Sequence, residues 1–155
     1  MTSPRFDSAK ILTVGDAMID RYWHGDAKRI SAEAPIPVVE VKEIEDRLGG
    51  AANVALNVST LGAESYLVAA TGSDIAAREL KDKLIASNIK STLLKDPLKP
   101  TTIKVRLVSQ NQQIVRADFE ENFDISAESL VSAATNFDRI DTVILSDYDK
   151  GLLAD

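Results

Sequence analysis

Cysteine is absent from this chain of 155 residues, and histidine occurs once, as His24. Without thiols the protein cannot form disulfides, iron–sulfur clusters, thiolate zinc sites or a cysteine nucleophile, which is typical of a reducing compartment such as the cytoplasm. We therefore expect a cytoplasmic location. A single imidazole also excludes a zinc site with several histidine ligands, and we assign His24 no chemistry.

Basic residues are outnumbered, and long apolar runs are missing. The 18 Lys and Arg residues against 24 Asp and Glu residues give a formal net charge of −6, the wrong sign for a general nucleic-acid binder. No run approaches the roughly 18 apolar residues that span a bilayer, and residues 1–10 lack the apolar core of a signal peptide. We expect neither nucleic acid nor a membrane as a partner.

The chain does contain an alternation of apolar strand-like and helical segments. Strands are predicted at residues 11–14, 66–70 and 142–146, and helices at 51–61, 75–87 and 126–135. Asp74 and Ser126 are the predicted N-caps of the last two helices. This alternation predicts one α/β domain with a parallel sheet.

Two proline-flanked polar segments interrupt the alternation, at about 21–45 and 100–119. Residues 22–41 contain only short β-prone pieces, broken by Pro35 and Pro37, and residues 102–108 and 113–119 are predicted to form a hairpin. These segments predict a small second β layer. The last predicted strand leads straight to the end of the chain, where a parallel sheet normally continues through another helix. We therefore expect the chain to be part of a longer protein.

A pair of glycines opens the first predicted helix, in the string Gly49-Gly50-Ala51-Ala52-Asn53. Glycines at a helix entrance let a ligand approach the backbone, whose free N–H groups bind hydroxyl or anionic oxygens. A plain glycine turn before a packed helix fits the same string. The string is neither a P-loop nor the GxGxxG dinucleotide fingerprint.

Acidic residues follow the first and last predicted strands. Asp16 and Asp20 lie at the edge where open α/β sheets bind ligands, and they fit either hydrogen bonding to sugar hydroxyls or ordinary loop and capping roles. Asp147 and Lys150 fit either Mg²⁺ and phosphate or a plain strand-to-helix turn. Their spacing identifies no complete metal site.

Three basic residues, Lys104, Arg106 and Arg116, lie in the predicted hairpin of an otherwise acidic chain. Alternate residues of a strand share a face, so Lys104 and Arg106 point the same way and Arg116 can join them from the neighbouring strand. Such a cluster fits a phosphate. It equally fits a charged edge strand that resists aggregation, or local ion pairing with the acidic residues that follow Arg116.

Together, several strings resemble the ribokinase-like (pfkB) carbohydrate kinases, and more closely their heptose-7-phosphate kinase branch. The strings are residues 14–23 (VGDAMIDRYW), 29–39 (RISAEAPIPVV), 49–55 (GGAANVA), 106–121 (RLVSQNQQIVRADFEE) and 145–151 (LSDYDKG). The glycine string marks only the superfamily. The Asp-Arg-Tyr-Trp and Ser-Gln-Asn-Gln-Gln strings are typical of the heptose branch.

The resemblance implies a partial ribokinase-like three-layer α/β/α fold with a parallel sheet and a small β-sheet lid, formed by about 21–45 and 100–119. Residues 1–155 would then be the N-terminal part of a sugar kinase domain. The implied reaction is ATP- and Mg²⁺-dependent phosphorylation of D-glycero-D-manno-heptose 7-phosphate at its anomeric hydroxyl, for ADP-heptose and lipopolysaccharide core synthesis. The lid implies a homodimer.

The resemblance also implies roles for individual residues. The sugar site would be lined by Asp16, Asp20, Gly49, Gly50 and Asn53. The phosphate already on the substrate would be held by Lys104, Arg106 and Arg116. The transferred phosphate and Mg²⁺ would lie near Asp147 and Lys150. The family's catalytic aspartate belongs to a Gly-Ala-Gly-Asp string that is absent here, so we expect this chain alone to be inactive. The alternatives are another ribokinase-like sugar or nucleoside kinase, and a non-catalytic module for sugar-phosphate binding or dimerisation.

Overall fold

The structure, a computed structural model, describes residues 6–153. Within that range the chain forms eight strands and three helices. In chain order they are β1 (Lys10–Gly15), β2 (Ala17–Ile30), β3 (Pro37–Gly50), α1 (Ala51–Thr60), β4 (Glu64–Thr71), α2 (Ile75–Ala86), β5 (Lys90–Lys95), β6 (Ile103–Ser109), β7 (Gln112–Phe119), α3 (Ala127–Thr135) and β8 (Thr142–Ser146).

Four parallel strands form the central layer, sheet A, in the order β5-β4-β1-β8. Strand β4 is buried on both faces, with Leu67 and Ala69 on one side and Tyr66 and Val68 on the other. The first pair packs with α1 and α2, and the second pair packs with α3. The three α/β/α layers and the parallel sheet are therefore as predicted.

A second layer, sheet B, has the order β3-β2-β6-β7. Strand β2 is antiparallel to β3 and parallel to β6, and the predicted hairpin is present as β6 and β7. The expectation of only short β pieces between residues 22 and 41 is wrong, because β2 and β3 are each 14 residues long. Pro35 lies in their connection and Pro37 is the first residue of β3, so neither interrupts the ladder.

Local signals place the helices but do not predict β5. Asp74 caps α2 by accepting a hydrogen bond from the Ala77 N–H at 2.9 Å, and Ser126 caps α3. Residues 90–95 form a strand because they pair with β4 at the edge of sheet A. None of the helices in the described part of the chain is long and apolar enough to cross a membrane.

Asp16 is the single residue between β1 and β2, and it joins the two sheets. Its N–H donates to the Ser146 carbonyl at the end of β8, and its carbonyl accepts from the Ala51 N–H at the start of α1. The carboxyl ends of β1 and β8 and the first turn of α1 therefore meet beside sheet B. Edges of this kind are where open α/β sheets bind ligands.

Candidate functional site

A polar cleft of about 480 Å³ lies where sheet B meets α1 and the end of α2. We call it the β3–α1 cleft. It is lined by Asp20, Tyr22, Asp46, Arg47, Leu48, Asn53, Leu56, Lys83, Ala86 and Ser87. Two of these residues, Asp20 and Asn53, are predicted sugar-site residues.

The glycine pair lets the backbone pass close to Asp16 and Asp20. A Cβ atom on Gly49 would come within 2.6 Å of the Asp20 Oδ2 atom, so only glycine allows the carboxylate to lie there. Gly50 has φ of +56°, and a Cβ atom there would overlap the Asp16 carbonyl oxygen. Both glycines are needed to bring the end of β3 and the start of α1 against Asp16 and the first residues of β2.

Asn53 lies in the first turn of α1, on the wall of the β3–α1 cleft. The residue is exposed, and its amide forms no hydrogen bond with any of residues 6–153. An amide supplies both a donor and an acceptor, so Asn53 is free to hydrogen-bond a ligand hydroxyl. Asp20, Gly49, Gly50 and Asn53 are thus brought together by the fold.

Asp20 is held by Arg106. These residues lie on the neighbouring strands β2 and β6, and the Arg106 Nη1 atom donates to the Asp20 Oδ1 atom. The Tyr22 ring contacts two guanidinium groups. Its centre lies 5.3 Å from the Arg106 Cζ atom and 4.5 Å from the Arg47 Cζ atom. The ion pair fixes the orientation of the Asp20 side chain, and the contact with the Tyr22 ring helps to hold Arg106 in place.

Lys104, another of the predicted phosphate-binding residues, is paired with two carboxylates. Its Nζ atom donates to Asp118 at 2.9 Å and to Glu120 at 2.8 Å. Burial lowers the pKa of Lys104, but these hydrogen bonds outweigh burial and raise the pKa above its ordinary value. Arg116 is half exposed and pairs with Asp118 through its Nε atom at 2.9 Å. The local ion pairing that the sequence allowed is therefore present.

Glu120 connects sheet B to the loop after β8. Its carboxylate accepts from the Nζ atoms of Lys104 and Lys150, and these two bonds lower the pKa of Glu120. Sequence reasoning missed Glu120 as a site residue. The sequence feature that could have identified Glu120 is its position directly after β7, within the acidic pair 120–121.

Asp16 lies at the predicted carboxyl edge of sheet A, but not on the wall of the β3–α1 cleft. Its side chain is only 3% exposed, and its Oδ2 atom accepts from the N–H groups of Tyr148 and Lys150 at 2.8 and 3.2 Å. Its Oδ1 atom has no partner among the described residues. Asp16 thus fixes the loop after β8.

Asp147 and Lys150 lie in that loop, at the carboxyl end of β8. Asp147 is exposed, and its Oδ1 atom accepts from the Asp149 N–H at 2.8 Å, which closes a tight turn. Lys150 points back to Glu120, 2.9 Å away. The described residues contain no group of three or more histidine, aspartate or glutamate side chains placed to hold a metal.

The two-sheet α/β fold, with a glycine-opened helix and a polar cleft at the sheet edge, is that of the ribokinase-like sugar kinases. The chain belongs to the pfkB family of carbohydrate kinases, whose family model matches residues 8–153. It is 48% identical over 154 residues to the bifunctional protein HldE of Ectopseudomonas mendocina and 49% identical to that of Pseudomonas savastanoi pv. phaseolicola. Each match covers 99% of this chain and 33% or 32% of the relative, so the chain spans about a third of their length.

Solved structures support the fold. The acarbose kinase Mak1 superposes with a TM-score of 0.68 at 24% identity, covering 89% of this chain and 45% of that one. The ribokinase of Giardia lamblia superposes with a TM-score of 0.64 at 16% identity, covering 89% of this chain and 44% of that one. At these identities the likeness concerns the fold alone.

Proposed function

We propose that this chain is the sugar-binding part of a kinase that transfers phosphate from ATP to the anomeric hydroxyl of D-glycero-D-manno-heptose 7-phosphate. The product would be the 1,7-bisphosphate, used in the cytoplasm for ADP-heptose and lipopolysaccharide core synthesis. The observation that carries the proposal is the placement of Asp20 against Gly49, with the free Asn53 amide on the same cleft.

In this proposal the sugar hydroxyls bind in the β3–α1 cleft. The Asp20 carboxylate accepts hydrogen bonds from hydroxyl groups, and Asn53 donates and accepts. Arg106 keeps the Asp20 carboxylate in one orientation, so less rotational freedom is lost when the sugar binds.

The 7-phosphate is proposed to bind the cations of sheet B. Lys104, Arg106 and Arg116 lie on one face of β6 and β7, with Arg106 directly opposite Arg116 in the ladder. Each is paired with a carboxylate, so the phosphate must either displace that carboxylate or bind N–H groups that the carboxylate leaves free. Arg106 is the best suited, because a guanidinium group can hold a phosphate and a carboxylate on different N–H groups.

The nucleotide side is proposed to lie beyond β8. Asp147 offers one exposed carboxylate, which suits Mg²⁺, an ion that commonly takes one or two carboxylates, waters and phosphate oxygens. The metal would neutralise charge on the transferring phosphate. Lys150 lies on the same loop and is proposed to contact that phosphate. We assign no catalytic base within this chain, and we expect no turnover from it alone.

Sheet B is proposed to form a homodimer interface. One apolar row crosses the four strands on a single face of the sheet. Its members are consecutive partners in the ladders: Ile44 on β3, Trp23 on β2, Leu107 on β6 and Val115 on β7. Ile44 is 60% exposed and Val115 is 52% exposed. A second copy of the chain would cover this row with an identical one, as a twofold symmetric interface requires.

Calorimetric titration with a ligand panel tests the proposed function. The panel is D-glycero-D-manno-heptose 7-phosphate, the same heptose without phosphate, fructose 1-phosphate, a nucleoside, and ATP with magnesium. We expect the heptose 7-phosphate to bind most tightly and ATP with magnesium not to bind. Equal affinity for the phosphorylated and unphosphorylated heptose would contradict the proposal, and preference for another member of the panel would identify a different sugar or nucleoside kinase.

A further inference from the structure

A second cleft, of about 570 Å³, lies between α2 and β5, the edge strand of sheet A. We call it the α2–β5 groove. Its polar lining is formed mainly by Thr71, Ser73, Arg78, Lys81, Ser91 and Lys95. Its volume is within the range of small-molecule sites, about 300–1,000 Å³.

Helix α2 separates this groove from the β3–α1 cleft. Successive residues of a helix are rotated by about 100°, which places Ala77, Arg78 and Lys81 on one side. Lys83 and Ala86 lie on the other side, and they line the β3–α1 cleft. A ligand in the α2–β5 groove would therefore occupy a site separate from the proposed sugar site.

The groove carries positive charge without carboxylate partners. Arg78, Lys81 and Lys95 form no ion pair or hydrogen bond through their side chains with any residue between 6 and 153. The three predicted phosphate-binding cations of sheet B, Lys104, Arg106 and Arg116, are by contrast each paired with a carboxylate. Three unpaired cations around one cleft are unusual in a chain of net charge −6, and they create a local positive potential.

The one carboxylate on the groove, Asp74, is already satisfied. It accepts hydrogen bonds from the Ala77 N–H at 2.9 Å, from the Thr101 N–H at 2.8 Å and from the Thr101 hydroxyl at 2.7 Å. Burial raises the pKa of Asp74, but these bonds outweigh burial and lower it. Asp74 therefore caps α2 and forms no ion pair with the neighbouring cations.

An independent observation comes from Thr71, at the end of β4. Its side chain is fully buried beneath the groove, and its hydroxyl has no hydrogen-bond partner in the described part of the chain. A buried hydroxyl without a partner has a desolvation cost, which an anionic oxygen entering the groove would relieve.

We propose that the α2–β5 groove is a second anion site, which binds the phosphate group of a phosphorylated small molecule. The Arg78 guanidinium and the Lys81 and Lys95 ammonium groups hold the phosphate, since ionised donors form the strongest hydrogen bonds to it. The hydroxyls of Ser73 and Thr71 complete the shell. The compact cluster suits a single phosphate better than an extended polyanion.

The test is a titration of the ¹⁵N-labelled chain with inorganic phosphate, followed by NMR, beside a titration with sodium chloride at equal ionic strength. We expect saturable shifts of the Ser73, Arg78 and Lys95 amides with phosphate only. The double variant Arg78→Gln, Lys81→Gln should weaken phosphate binding about tenfold or more. The matched control Arg29→Gln removes another exposed cation without a carboxylate partner and should leave the affinity unchanged.

Thr71→Val provides a second arm that does not depend on charge. It removes the unpartnered hydroxyl at nearly constant volume, so the fold should be retained, and phosphate binding should weaken. Phosphate shifts equal to the chloride shifts, or an affinity unchanged in both the double variant and Thr71→Val, would overturn the proposal. Asp20→Asn should leave phosphate binding in the groove intact, which keeps this test separate from the sugar site.

Discussion

Arg106 on β6 donates a hydrogen bond to the carboxylate of Asp20 on β2, although 86 positions separate them in the chain. The pair forms because β2 and β6 are parallel neighbours in sheet B. It links a predicted phosphate-binding cation to a predicted sugar-binding carboxylate. The orientation of Asp20 therefore depends on the assembly of sheet B.

The substitution Arg106→Gln tests this dependence. We expect the affinity for heptose 7-phosphate to fall by about tenfold or more, because the phosphate loses a cation and Asp20 loses its partner. The ion pair is mostly buried, with 19% and 21% of the two side chains exposed, so the variant leaves the Asp20 carboxylate without its partner and the melting temperature should fall by roughly a few degrees. The control Lys28→Gln removes a cation paired with Asp26 at the far end of β2. An unchanged affinity in Arg106→Gln would argue against a role in phosphate binding.

Gly50→Ala should destabilise the fold strongly. The residue has φ of +56°, and the added Cβ atom would overlap the Asp16 carbonyl oxygen. We expect a loss of about 2 kcal/mol or more in urea denaturation. The control Gly62→Ala has φ of +94° but no atom within 4 Å of the added Cβ, so it measures backbone strain alone. Equal losses in the two variants would show that crowding at Gly50 has no effect.

Asp74→Ala should lower the free energy of unfolding by about 2 kcal/mol, because the variant removes the α2 cap and leaves Thr101 without its acceptors. The pKa of Asp74 is lowered in the folded protein. Its contribution is therefore present above the pKa of the unfolded chain and is lost as pH falls through the folded pKa. Ser126→Ala, which removes the single 3.3 Å cap of α3, should cost less. Calorimetric melting between neutral and acidic pH measures both.

Acid titration also reports on the contact between Glu64 and Lys90. Hydrogen bonds from Lys90 and Tyr66 lower the pKa of Glu64 to about 2, from an ordinary value of 4.5. The stabilising effect of Glu64 should persist above pH 4.5 and disappear as pH falls through about 2. NMR of the Glu64 side-chain carboxyl gives the pKa directly. A midpoint near the ordinary value would contradict the contact.

The proposed homodimer predicts that Ile44→Lys with Val115→Lys gives a monomer in sedimentation velocity experiments. The two charges would face each other across the proposed interface and would have to be desolvated there. Leu98→Lys is the control, because Leu98 is 87% exposed but lies outside sheet B. A dimer that survives the double variant would place the interface elsewhere, and a monomeric wild-type chain would exclude this dimer.

Much of the fold could be predicted from the sequence because its signals are local. The Asp74 and Ser126 caps lie beside the residues they bond. Strand β5 could not be predicted, since KSTLLK becomes a strand only through pairing with β4. The full length of β2 and β3 likewise depends on their pairing with each other, which continues past register shifts at His24/Gly25 and Ala27/Arg29.

The candidate site was harder to predict than the fold. The glycine pair, Asp20 and Asn53 carry recognisable strings, and the structure brings them together. The role of Asp16 is set by backbone N–H groups more than 130 positions away, at Tyr148 and Lys150, which no local pattern shows. Ion pairs between carboxylates and cations that are distant in the chain likewise cannot be predicted before the register of the strands is known.

The most direct test of the central claim is calorimetric titration of the chain and of its Asp20→Asn variant with D-glycero-D-manno-heptose 7-phosphate. Asp26→Asn is the control, because it changes a carboxylate on the same strand outside the β3–α1 cleft. We predict saturable binding by the chain and by Asp26→Asn, and at least about tenfold weaker binding by Asp20→Asn. Equal affinities for all three, or no binding by the folded chain, would contradict a sugar site in the β3–α1 cleft.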